Sequence, residues 1–118
     1  MNTESNRKYP DTPVWNSDLS KMMWPAYVPD MKRDDISYAS PMMATNFGDL
    51  PPAYVETAEF DCLHDEAINY ANAMREAGVQ VEILETKGTM HCFDSVMEAP
   101  TTKIVIAKRI EFMQKHFS

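Results

Sequence analysis

Apolar and polar positions alternate along this chain in short, distinct registers, and most of the order lies in its second half. Val81–Thr86 (VEILET) alternates apolar and polar, the period of a half-buried strand. Ala53–Ala58, bounded upstream by Pro51-Pro52, is a second short strand candidate. Between them, Ala67, Tyr70, Ala71 and Met74 recur at helical spacing and predict a helix over 65–77. Gly78 follows where a left-handed C-terminal cap is expected. Pro100-Thr101-Thr102 opens a further helix, taken over 102–117, whose Ile106, Ile110, Met113 and Phe117 share one face.

The first 52 residues are less regular. Residues 1–16 carry Pro10 and Pro13 among polar side chains and read as an irregular lead-in. Asn16 or Ser17 is a candidate cap for a helix over 18–27, with Leu19, Met22, Met23 and Tyr27 as its apolar stripe. Pro25 predicts that this helix kinks or ends early. Residues 29–52 read as loop. The organisation expected is one unit, residues 1–118: a helical or irregular lead-in over 1–52, then a strand–helix–strand–helix unit over 53–118. That order is the βαβ pattern of a parallel sheet in the α/β class. Two parallel strands leave both edges and faces needing cover, so the chain reads as part of a larger sheet.

Composition narrows the partners. The chain has 118 residues, 44% hydrophobic and 25% charged, which fits a packed core rather than disorder. Acidic side chains number 18 against 11 basic ones, a net charge of -7 without a basic cluster, which argues against a nucleic-acid partner. The apolar runs are too short to span a bilayer, and Met1–Pro10 lacks the apolar stretch of a signal peptide. Two cysteines make no disulfide framework, so two reduced thiols in a cytoplasmic setting are the default. Cys62, His64, His91 and Cys92 do not have the spacing of a common structural zinc site, and no metal or cofactor is expected. The ten methionines read as core filler.

Two short texts carry chemistry. Asp61-Cys62-Leu63-His64-Asp65-Glu66 follows the first strand candidate, and Gly88-Thr89-Met90-His91-Cys92-Phe93 follows the second. Taken singly, an aspartate at a strand-to-helix junction is most often a helix cap, and a lone histidine is most often structural. Together they resemble the hormone-sensitive-lipase-like family of α/β-hydrolases. That family has D-x-L-x-D-E after its seventh strand and G-x-x-H-G-F after its eighth. Val14-Trp15-Asn16, Met23-Trp24 through Tyr27, and Ser40-Pro41 are similar to the stretch after the family's sixth strand.

The resemblance implies the C-terminal third of an α/β-hydrolase fold, with Asp61 matching the triad acid and His91 the general base. It implies a carboxylesterase or lipase acting on short- to medium-chain esters. Asp65 and Glu66 belong to the motif and are expected to favour the positive end of the helix. One departure is Cys92, which stands where the family usually has glycine. A second is the nucleophile. The glycines are Gly48, Gly78 and Gly88, and none has a serine two residues on, so no G-x-S-x-G elbow is present. The oxyanion motif is absent too. By family order both belong to a segment preceding Met1, so this chain alone is expected not to turn over esters. The alternatives from other classes are a non-catalytic, self-associating module, or a subunit completed by a separate polypeptide.

Overall fold

In the computed structural model, which describes residues 2–117, two parallel strands form the centre: β1 (Ala53–Phe60) and β2 (Val81–Met90). Helix α3 (His64–Glu76) makes the crossover between them and packs on both strands. Both strands run further than alternation alone suggested, because β1 continues to the residue before Asp61 and β2 to the residue before His91. The strand–helix–strand–helix order is that of the parallel α/β unit expected from the sequence.

Register decides what the strand ends present. Ala53 to Ala58 pair in step with Val81 to Thr86. Beyond that pair β1 advances two residues, Ala58 to Phe60, while β2 advances four, Thr86 to Met90. The extra residues form a bulge around Gly88, which has φ +67°, a region glycine enters without a Cβ penalty. Its N–H donates to Glu59 Oε2 at 2.7 Å. Inside the bulge Thr86 Oγ1 donates to the Thr57 carbonyl at 2.8 Å and lies 2.5 Å from Thr89 Oγ1. Thr57, Thr86 and Thr89 are all buried, so these bonds are shielded from water.

Helix α3 follows its predicted face, with Ala71 and Met74 buried and Ala67 and Tyr70 half-buried. It ends in a Schellman cap: the Val79 N–H bonds to the Met74 carbonyl at 3.0 Å and the Gly78 N–H to the Arg75 carbonyl at 2.9 Å, with Gly78 at φ +89°.

Three expectations are corrected. Residues 1–16 are not wholly irregular: Glu4–Lys8 form a short helix, α1, capped by Thr3. The Ser5 N–H donates to Asp65 Oδ2 at 2.8 Å and the Ser5 hydroxyl to the Cys62 carbonyl at 3.0 Å, so α1 is tied to the start of α3. Second, α2 (Ser17–Tyr27) is capped by Asn16, whose side chain accepts from Leu19 N, but it buries Ser17 and Ser20. Leu19, Met22 and Tyr27 are exposed instead. Pro25 does not break α2, because it sits in the last turn and deprives only the carbonyl of Lys21, an exposed residue. The 29–52 segment is a loop with two 3₁₀ turns, Ile36–Tyr38 and Pro41–Met43.

Third, helix α4 (Pro100–Phe117) turns a different face inward. Thr102, Val105 and Phe112 are buried, and Arg109 lies on the same side, whereas Ile110, Met113 and Phe117 are exposed. The Phe112 ring lies 5.6 Å from that of Tyr54, and Arg109 reaches Glu56. Tyr54 and Glu56 are two apart, so one face of β1 looks at α4. The apolar stripe read from periodicity is therefore the outer face of α4 in this chain.

Candidate active site

Asp61 follows β1 directly and His91 follows β2 directly, at the carboxyl ends of the two strands, where open parallel sheets gather their reactive groups. His91 Nδ1 lies 2.8 Å from Asp61 Oδ2. A carboxylate can only accept, so Nδ1 carries the proton and Nε2 is left as the ring's acceptor. Among the described residues Nε2 makes no hydrogen bond. The Asp61 side chain is 12% exposed and that of His91 28%, a covered anion beside a reachable ring.

Asp61 does two jobs with two oxygens. Its Oδ1 accepts the Leu63 N–H at 2.9 Å, which shapes the turn into α3, while Oδ2 takes His91. Asp61 does not cap α3, whose N-cap residue is Leu63 without a side-chain cap bond; its Oδ1 instead closes the turn ahead of the helix. The turn holds the carboxylate in place, so that its second oxygen faces His91 in a short, well-aimed pair.

Trp15 is the neighbour that sequence reasoning did not assign. Its ring centroid is 6.2 Å from that of His91, with the planes tilted by 35°. Val14, just before it, has φ 71°, rare for a β-branched residue. The Val14-Trp15-Asn16 text matched the family, and nothing in its spacing pointed at His91.

Cys92 answers the question raised by the missing glycine. It keeps the left-handed conformation a glycine would favour, φ 58° and ψ 26°, and its side chain is exposed. A 3₁₀ turn, Phe93–Ser95, starts immediately after it. Cys62, one residue from Asp61, is buried, and burial pushes its thiol pKa up. Both thiols are free. Among the described residues no group of three His, Cys, Asp or Glu side chains gathers to hold a metal ion.

Asp61, His91, Cys92, Asp94, Glu56 and Arg109 border an open depression of about 190 Å³. Arg109, from α4, donates to Glu56 at 2.6 and 3.1 Å and lies 2.9 Å from Asp94 Oδ2. The two carboxylates hold the guanidinium charged, its pKa raised above the ordinary arginine value. A second imidazole, His64, lies between Asp65 Oδ1 at 2.9 Å and Glu85 Oε2 at 3.1 Å, away from this depression. No helix among the described residues is long and apolar enough to cross a membrane.

Comparison with known proteins agrees with this architecture. A family model described as the alpha/beta hydrolase fold matches residues 1–95. Carboxylesterase NlhH of Mycobacterium tuberculosis is 32% identical over 84 residues, 69% of this chain and 26% of its own. Esterase LipI of the same organism is 40% identical over 52 residues, 44% of this chain and 16% of its own. Among solved structures, a bacterial heroin esterase superposes with a TM-score of 0.87 at 31% identity, covering 98% of this chain and 38% of that one. The esterase LipW of Mycobacterium marinum, at 24% identity and a TM-score of 0.91, shares the fold. The chain thus spans well under half the length of the relatives it matches. The matched family model, the esterase relatives and the superposed folds together make this chain a member of the hormone-sensitive-lipase-like family of α/β-hydrolases.

Proposed function

We propose that this chain supplies the acid, Asp61, and the general base, His91, of a serine carboxylesterase triad whose nucleophile lies outside these 118 residues. The observation that carries the reading is the 2.8 Å bond from His91 Nδ1 to a covered carboxylate, with Nε2 left free to accept. In the complete enzyme a serine hydroxyl gives its proton to Nε2 as its oxygen attacks the ester carbonyl. Asp61 holds the tautomer and stabilises the imidazolium that forms. His91 then returns the proton to the departing alcohol, and water, activated by the same nitrogen, releases the acid. Short- to medium-chain esters are the substrate class in keeping with the esterase relatives. A cytoplasmic setting is in keeping with an exposed free thiol at Cys92.

The test is hydrolysis of p-nitrophenyl acetate by the 118-residue chain. The reading expects a rate no faster than an equal concentration of free imidazole, and no acyl-enzyme burst. A burst that vanishes in His91→Ala would place a nucleophile within the chain and overturn the proposal.

A second reading, a non-catalytic self-associating module or a subunit completed by another polypeptide, draws on the outer face of α4. Ile110, Met113 and Phe117 there are 45%, 51% and 64% exposed. Sedimentation of the purified chain separates the two, since a monodisperse monomer would count against self-association.

A further inference from the structure

The segment that carries His91 is held from the far side by a residue of α4. We propose that Arg109 is a positioning residue, fixing the turn after His91 so that its imidazole stays in register with Asp61. This rests on the reading of His91 as the base. Asp94 lies three positions after His91, and Cys92 between them occupies a left-handed conformation that is disfavoured for non-glycine residues. The segment therefore needs an external tie. Arg109 provides one: Nη1 lies 2.9 Å from Asp94 Oδ2, while Nε and Nη2 lie 3.1 and 2.6 Å from Glu56 on β1.

The fork spans two carboxylates on two different elements. Glu56 is the fixed end, its side chain 11% exposed within a strand, and Asp94, 35% exposed, is the movable end. A guanidinium engages both at once because its donors diverge in a plane, and a lysine ammonium has no such geometry. The tie runs from β1 through α4 to the turn, and so back to the strand that ends at Asp61. Pulling Asp94 loose would free the backbone that sets the direction of His91, and the short bond to Asp61 would lose its alignment.

The experiment is a long-range ¹H–¹⁵N correlation spectrum of the histidine rings in the labelled chain, which reads the tautomer of His91 directly. Signals are assigned with His91→Gln. The wild type is expected to show protonated Nδ1 and bare Nε2. In Asp94→Asn, which leaves the Arg109–Glu56 pair intact, the Nδ1-protonated population should fall by about twofold or more, the coupling typical of neighbouring groups. Arg109→Met should fall at least as far and Arg109→Lys by less. Lys115→Met, which removes a second α4-to-strand ion pair, to Glu82, should leave His91 unchanged. Circular dichroism confirms that each variant is folded; where Arg109→Met is not, Asp94→Asn decides. An unchanged His91 tautomer in folded Asp94→Asn, over a wild type that does show protonated Nδ1, overturns this proposal alone. A wild type without protonated Nδ1 removes both this proposal and the role given to His91.

Discussion

His91 stands opposite Asp61 because β2 takes two residues more than β1 over the same length. Ala58 pairs with Thr86, and the next pair is Phe60 with Met90. Without the bulge, the residue facing position 61 would be Thr89. Gly88 makes the bulge conformationally open, and Glu59, Thr57, Thr86 and Thr89 hold it with hydrogen bonds. An even number of extra residues also keeps the side-chain alternation of β2 in phase, so His91 emerges on the side that the carboxylate occupies.

Cys92 stands in a left-handed conformation that costs an L-residue about 1–2 kcal/mol. Cys92→Gly relieves that strain and gives back part of it through the unfolded chain, for a net gain of about 0.5 kcal/mol. A rise of that size in urea midpoint at unchanged slope is expected, and a loss of stability would contradict the strain. Thiol titration separates the cysteines as well. Cys92 should react at once, and Cys62, fully buried, only on unfolding.

Asp65 ties α1 to α3, and its pKa is held below the ordinary carboxylate value, first by the Ser5 N–H and then by His64. A depressed folded pKa contributes stability above the unfolded value of 3.8, lost as pH falls through the folded one. Asp65→Asn should therefore cost about 1 kcal/mol at neutral pH and almost nothing in strong acid. An equal cost at both would show that the charge is irrelevant. Urea melts at the two pH values read the difference.

Tyr54 lies against α4, where burial, followed by the charge of Glu56, pushes its phenol up to about 12. A raised folded pKa gives stability that is fully present below the unfolded value of 10.0 and is lost as pH climbs to about 12. Stability should decline over that interval, and Tyr54→Phe should flatten part of the decline. The alkaline absorbance difference between the wild type and Tyr54→Phe should show the Tyr54 phenol ionising near pH 12. A difference signal centred near the ordinary value of 10.0 would contradict the burial.

The sequence carried more of the site than of its surroundings. Asp61 and His91 were legible as candidates because each directly follows a strand within a spaced motif, and α3 because its apolar face and Gly78 agree. The inner faces of α2 and α4 were not legible. Periodicity finds the more apolar side of a helix, yet Ser17 and Ser20 in α2, and Thr102, Val105 and Phe112 in α4, are the buried residues here. Small side chains permit close approach, and the apolar stripes remain open in a chain that spans 38% of a superposed esterase. The bulge escaped for another reason: Lys87-Gly88-Thr89 breaks no pattern, and only pairing shows that β2 runs ahead of β1. Arg109 and Trp15 are long-range neighbours of the His91 segment, and no spacing rule encodes them.

On the proposed reading, His91, aimed by Asp61, serves a nucleophile from outside this chain. The direct experiment joins the chain to the segment of an esterase relative that precedes the matched region. Hydrolysis of p-nitrophenyl butyrate by that protein is compared with its His91→Ala and Asp61→Asn variants. Hydrolysis is expected in the joined protein, with a loss of about 10³-fold or more in each variant, the scale at which triad members act. Hydrolysis that persists undiminished without the His91 imidazole would contradict it.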